Sequence, residues 1–315
     1  MFDAKALVDD QVKNISAAVK GKAIIACSGG VDSVVSAVIA SKAIGDRLLA
    51  VYVDTGLMRK GETEEVRGML KALNVNFKIL DAADDFFASL KGVTEPEAKR
   101  KAIGERFIRC FEKEAKEFGA KYLVQGTIAP DIIESGKDGK GVVKSHHNVG
   151  GIPKEMGLVL VEPLRELYKD DVRQVARFLG IKESERQPFP GPGLAVRCLG
   201  EVTPENTGIV REACHIVEDE IQKASKAGKM ALPWQYFAAL LPIRSVGVHN
   251  RERIYGRTVV IRAVLSKDGM TAKCAEIPFA VLTSIASRIT REMGDKVNRI
   301  VYDVTDKPPA TIEWE

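Results

Sequence analysis

Apolar residues recur along the chain in two alternating rhythms. Over the first 20 residues, Phe2, Leu7, Val12, Ile15 and Val19 stand at near-helical spacing, which predicts a short amphipathic helix. The run Ala23-Ile24-Ile25-Ala26-Cys27 then has no polar interruption, the mark of a strand buried on both faces. A glycine-bearing turn follows, and then VVSAVIASKAIG, a helix for which Gly45 makes a plausible C-cap. The same alternation continues with a strand at 48–53, a helix at 62–73 and a strand at 77–80. Helical stretches around 84–90 and 95–118 lead to a strand at 122–124. Strand and helix in turn predict an α/β fold, a doubly wound parallel sheet with ligands at the carboxyl ends of its strands.

Residues 126–157 break the rhythm with seven glycines and little periodicity, as functional lids and disordered segments do. A strand at 158–161 and a helix at 169–179 come next, and then the stiff stretch ERQPFPGPGLAVR. Its three prolines and two glycines put a domain boundary near residue 186, giving domains 1–186 and 187–315. The second begins with a helix at about 204–227. Apolar runs at 236–241 and 258–265, a helix at 278–293 and a strand at 299–304 follow, an α+β pattern. No internal repeat is present.

Composition narrows the class. At roughly 150 residues per domain, 315 residues make about two domains. Apolar types at 45% support real cores, and 29% charged residues with that apolar content exclude chain-wide disorder. No run of about 18 apolar residues exists to span a membrane. The opening MFDAKALVDD is acidic where a signal peptide needs a basic region, so the chain reads as cytoplasmic. Lys and Arg (47) nearly balance Asp and Glu (43), and the resulting +4 is spread out, unlike a dedicated nucleic-acid binder. Cys27, Cys110, Cys198, Cys214 and Cys274 include no CxxC pair, which argues against both a zinc ribbon and a disulfide scaffold.

The chemistry concentrates at Ser28-Gly29-Gly30-Val31-Asp32-Ser33, between the first strand and the first sheet helix. Paired glycines let a backbone approach a ligand closely, and unpaired N–H groups at a helix start hold phosphate without help from side chains. Ser28 and Ser33 add hydroxyls. Asp32 would repel phosphate unless a cation lies between, and a magnesium ion bridging the two resolves that conflict. The competing reading is a helix start capped by Ser and Asp, with the glycines only making the turn. Neither GxxxxGK[ST] nor GxGxxG fits. SGGVDS resembles the pyrophosphate loop of the N-type ATP pyrophosphatases, enzymes that split ATP between the α and β phosphates and adenylate an oxygen of the substrate.

Further strings are VDTGLMRKGE (53–62), EAKRKAIGERF (97–107), KSHHNVGGIPKEMGLVLVEPLRELYKD (144–170), PFPGPGLAVRCLGEV (188–202) and KPPATIEWE (307–315). Together they resemble the GMP synthetase family from about residue 20 to residue 315. That likeness implies an adenine-nucleotide α-hydrolase-like sheet with a smaller C-terminal domain that makes a homodimer. It also implies a reaction: xanthine O2 of XMP attacks the α-phosphorus of ATP, pyrophosphate leaves, and ammonia displaces AMP to give GMP. Longer family members carry a glutamine amidotransferase domain ahead of this one, whereas only 27 residues precede Ser28. The expectation is the two-subunit form, with a separate glutaminase supplying ammonia.

By the same resemblance, ATP lies on Ser28 to Ser33 and on Val34, with adenosine at Val53. For the neighbouring Asp54 side chain, an ordinary turn residue is an equally good reading. The stretch 126–157 matches the family's lid. Within it Asp131 and Glu134 could hold magnesium on the phosphates, while Lys144 offsets charge on the transferring group. Composition alone would make this a solvated loop. His146 and His147 have no partner at zinc-ligand spacing, and most such pairs in loops face solvent; the lid resemblance implies phosphate contact by at least one of them. Arg100 and Lys307 are implied at the XMP phosphate, with Ile312 (through its backbone) and Glu313 at the purine. An ATP-binding sensor, or a synthetase of NAD or asparagine on the same fold, would explain the loop but not KPPATIEWE.

Overall fold

A computed structural model describes residues 2–134, 157–181, 187–267 and 269–315. The chain gathers into two compact units, and it crosses between them more than once. The first comprises Met1–Thr55, Gly61–Ala82 and Glu105–Glu185, and the second Gly56–Lys60, Ala83–Gly104 and Arg186–Glu315.

In the first unit, strands β1 (Lys22–Ala26), β2 (Leu48–Asp54), β3 (Phe77–Asp81), β4 (Ala120–Val124) and β5 (Val159–Val161) form one sheet. Their order is β3-β2-β1-β4-β5 and every pairing is parallel, with Ala23 facing Leu48 and Tyr122 in register. Six of the seven residues of β2 are buried, as its apolar run requires of a central parallel strand. Helix α1 (Ala4–Ala18) starts at Asp3, whose carboxylate accepts from Ala6 N–H. Helix α2 (Val31–Ile44) is buried from Val34 through Ala40, and a helix apolar nearly all round belongs in an interior. Helix α3 is Glu62–Ala72. The strand order reverses beside β1, so the crevice for a ligand lies outside the carboxyl ends of β1 and its neighbours. This is the doubly wound α/β sheet expected from the alternation of elements.

The second unit contains α4 (Ala83–Leu90) and the first turns of α5 (Pro96–Phe118). The short helix α6 (Ala129–Glu134) and α7 (Lys169–Phe178) return to the first unit. Helix α8 (Pro204–Lys226) has Thr203 at its N-cap, accepting from Asn206 N–H, with Pro204 opening the first turn. A second sheet is made by β6 (Gln235–His249), β7 (Glu252–Leu265), β8 (Lys273–Cys274) and β9 (Val297–Asp303). β7 pairs antiparallel with β6 and β8, and parallel with β9. Helix α9 (Phe279–Met293) buries Val281, Ile285, Ile289 and Met293, one stripe at four-residue spacing.

The apolar runs at 236–241 and 258–265 are only the inner halves of β6 and β7. The two strands continue outward as a hairpin arm, where exposed Ile243, Val246, Val248 and Tyr255 share the ribbon with Arg244, Arg253 and Arg257. Asn250 and Arg251 turn the arm with φ of 49° and 68°, the paired positive φ of a two-residue hairpin. Among the described residues, no helix is long and apolar enough to cross a membrane.

Candidate active site

In the first unit, β1 delivers the chain to SGGVDS at the switch point. Gly30 is the N-cap of α2; Ser28 Oγ accepts from its N–H at 3.4 Å, but the N–H groups of the first turn have no side-chain partner among the described residues. The hydroxyls of Ser28 and Ser33 lie 3.3 Å apart, and Ser33 also donates to Gly30 O at 2.9 Å. Val31 opens the helix. Val34 is fully buried and its N–H donates to Gly30 O, so it offers a ligand neither side chain nor free donor.

The two oxygens of Asp32 differ: Oδ2 accepts from Lys169 Nζ at 2.6 Å, while Oδ1 is buried and has no hydrogen-bond partner among the described residues. Lys169 is the first residue of α7, where the helix dipole disfavours a cation, so a specific partner accounts for it better than helix propensity does. That misplaced lysine was the available signal in the sequence.

The turn after β4 closes on the same loop. A Cβ on Gly126 would stand 2.9 Å from the carbonyl carbon and oxygen of Asp32. Flanking that glycine, Gln125 Oε1 and Thr127 Oγ1 are also buried and have no partner among the described residues. Nearby in sequence, Asp131 Oδ2 accepts from Ile128 N–H at 3.0 Å, so one of its oxygens serves the local turn. At the end of β2, Val53 is buried, and Asp54 accepts from Thr63 Oγ1 at 2.6 Å. The side chain of Glu134, together with Lys144, His146 and His147, lies outside the described residues.

The tail belongs to the second unit and is fastened by buried cations. Arg197, with no exposed surface, donates from Nε and Nη2 to the two oxygens of Glu313 at 3.1 and 2.8 Å. Gln235 Nε2 donates to Glu313 as well, at 2.8 Å. Lys99, equally buried, donates to Cys198 O at 2.7 Å and to the carboxylate of Glu315. Arg262 reaches the carbonyls of Thr305 and Thr311. Sequence reading missed Arg197 and Gln235, although Arg197 stands within the GPGLAVR string. Lys307 donates to Gly269 O at 2.8 Å, and Ile312 is buried. Arg100 lies 3.3 Å from Glu97, but its buried Nη1 has no hydrogen-bond partner among the described residues, which fits a guanidinium kept for an anion.

A glycine loop at the switch point of a parallel sheet, with beside it a carboxylate oxygen that has no partner among the described residues, is the setting of a nucleotide-binding α/β protein. The family described as NAD synthase matches residues 3–111, and the GMP synthase C terminal domain matches residues 219–314. The chain is 54% identical to one of the subunits of glutamine-hydrolyzing GMP synthase from Methanopyrus kandleri, over 100% of both chains. It is 55% identical to the protein of the same name in Pyrococcus horikoshii over 98% of both. The chain belongs to this family of GMP synthase subunits. Among solved structures, NMN synthetase from Francisella tularensis aligns at 16% identity with a TM-score of 0.48, covering 62% of this chain and 79% of its own.

Proposed function

We infer that this chain is the ATP pyrophosphatase subunit of a two-subunit GMP synthase, joining ammonia to XMP at the expense of ATP. The observation that carries this reading is likeness across the whole chain, 54% over 100% of it, with loop and tail alike. The O2 of XMP attacks the α-phosphorus of ATP and pyrophosphate leaves. Ammonia then adds at C2 of the adenylated purine, and AMP departs with the former O2.

The first unit binds and orients the nucleotide. The N–H groups opening α2, with Ser28 and Ser33, hold the pyrophosphate portion, and the end of β2 at Val53 takes the adenosine. The unpartnered oxygens at Gln125 and Thr127 add polar contacts from the β4 turn. Lys169 exchanges its carboxylate partner for phosphate as the nucleotide enters.

The buried, unpartnered Asp32 Oδ1 suits a hard cation, which prefers oxygen ligands. Asp32 would hold magnesium, with Asp131 and Glu134 as further candidates. Magnesium bound there neutralises charge on the departing pyrophosphate. Lys144, His146 and His147 complete the phosphate contacts. In the second unit, Arg100 and Lys307 take the XMP phosphate, and Glu313 with the backbone at Ile312 takes the purine. Three of the four acceptor positions of Glu313 are filled by Arg197 and Gln235, which leaves one for a purine N–H.

A separate glutamine amidotransferase subunit supplies ammonia. The outer half of the β6–β7 hairpin makes a homodimer with a second copy: Asn298 packs on it from within the chain, but Ile243, Val246, Val248 and Tyr255 stay exposed as an apolar set that a second copy would cover. Free thiols at all five cysteines suit the reducing cytoplasm. The test is pyrophosphate release from ATP with magnesium. It is expected to require XMP, and GMP is expected with ammonia but not with glutamine alone. Pyrophosphate release that ignores XMP, or GMP made from glutamine by the purified chain, would overturn the reading.

A further inference from the structure

Within the second unit, the two side chains that grip Glu313 rest on a support of their own. Arg59 supplies it. Its Nη2 donates to Gln187 O at 2.9 Å and lies 3.5 Å from Pro188 O, and its guanidinium stands over the Phe189 ring, 4.3 Å from the centroid. The same ring is 5.2 Å from the guanidinium of Arg197. Pro188 O also accepts from Gln235 Nε2 at 3.4 Å, and Gln187 Oε1 accepts from Tyr236 N–H at 2.6 Å. Arg59 therefore clamps the segment on which both Arg197 and Gln235 lean.

Arg59 is itself fixed. Arg211 donates to the carbonyls of Gly56 and Met58, and Leu57 O accepts from Leu194 N–H at 2.7 Å. Lys60 pairs with Glu212 at 2.7 Å. Behind the clamp, Glu218 lies 3.8 Å from Arg59 Nε and accepts from Gln187 Nε2 at 2.8 Å. The planar guanidinium can fork to carbonyls and stack on a ring together, which an ammonium cannot do.

We propose that Arg59 is a positioning residue for XMP, setting its affinity through Phe189 and the 187–188 carbonyls onto Arg197, Gln235 and Glu313, without touching the nucleotide. This rests on the reading of Glu313 as the purine contact. The test is XMP binding by calorimetry on the full chain, with ATP binding and thermal melting measured alongside. Arg59→Gln is expected to weaken XMP about tenfold, the scale on which small misplacements are felt, with ATP affinity and cooperative melting kept. Arg59→Lys is expected to recover little of that loss, and Phe189→Leu to reproduce it. In a Glu313→Gln background, Arg59→Gln is expected to cost nothing further.

Wild-type XMP affinity in Arg59→Gln overturns the proposal. So does an undiminished loss in the Glu313→Gln background, which would place the effect elsewhere. A parallel loss of ATP affinity and melting would reduce Arg59 to a general structural role and overturn it too. If Glu313→Gln alone binds XMP normally, the purine reading itself has failed, and the proposal falls with it.

Discussion

The glycine loop of the first unit and the tail of the second, the two regions we propose for charged ligands, are built in opposite ways. The loop offers backbone donors within six consecutive residues, and the side chains that meet its α2 N-cap, Ser28 at the Gly30 N–H and Ser33 at the Gly30 carbonyl, come from those same six. The tail depends on Arg197, Arg262 and Lys99, three cations with no exposed surface, whose partners lie 116, 49 and 216 positions away. A backbone site tolerates most side-chain change. A site held by buried ion pairs is only as sound as each pair, because removing one partner leaves an uncompensated charge.

That contrast breaks most directly at Glu313. Glu313→Ala leaves Arg197 buried without its carboxylate, and we expect a loss of about 4 kcal/mol in urea unfolding together with loss of XMP binding. An unchanged midpoint would mean the tail is no more fragile than the loop. Next in size is Asp32→Asn, expected to lower turnover about 100-fold while melting normally. Pyrophosphate release measured across magnesium concentrations checks it. Near-normal activity at limiting magnesium would leave Asp32 as the partner of Lys169 and nothing more.

Two glycines sharpen the comparison, since each is closed in by a backbone rather than by flexible side chains. Gly126→Ala drives a methyl into Asp32, and Gly193→Ala, at φ +64°, drives one to 2.5 Å from Leu57 O. Each is expected to cost about 2 kcal/mol. Calorimetry is expected to separate them: the first weakens ATP, the second XMP.

The smallest effect concerns pH. Burial pushes the Cys198 thiol up to about 12, and those of Cys27 and Cys214 also upward. The folded chain keeps protons that the unfolded chain releases near about pH 8.5, so this contribution is full below that pH and is lost as pH rises toward about 12. Cys198→Ala is expected to remove about 1 kcal/mol of the alkaline decline between about pH 9 and about pH 10, read from urea midpoints.

The sheet was legible because buried parallel strands such as LLAVYV need unbroken apolar runs, and the loop because its determinants are adjacent in the chain. A phosphate loop and a capped helix look alike in the sequence, since Ser28 and Asp32 suit either. The outer arm of β6 and β7 escaped notice because SVGVH and ERIYG mix arginine, glycine and valine without a clear period. Helix α6 was hidden in a glycine-rich stretch. Lys169 stands out at a helix start, but nothing local names Asp32, 137 positions away, as its partner, and Arg197 meeting Glu313 leaves no local pattern to read. The same is true of residues 56–60 and 83–104 joining the second unit.

Those two early segments bear on how the protein is made. A fragment starting at residue 187 would lack Arg59, Lys99 and Leu57, so the second unit cannot be cut out as one continuous piece. On the ribosome the order is reversed. Lys99 emerges early and finds no carboxylate at its final position until Glu315 has been added, whereas the glycine loop and the first two strands around it are complete within the first 54 residues. The pairs that fasten the tail therefore form late in synthesis, and on our reading of Glu313 a nascent chain stalled before residue 313 would have its glycine loop but no purine contact.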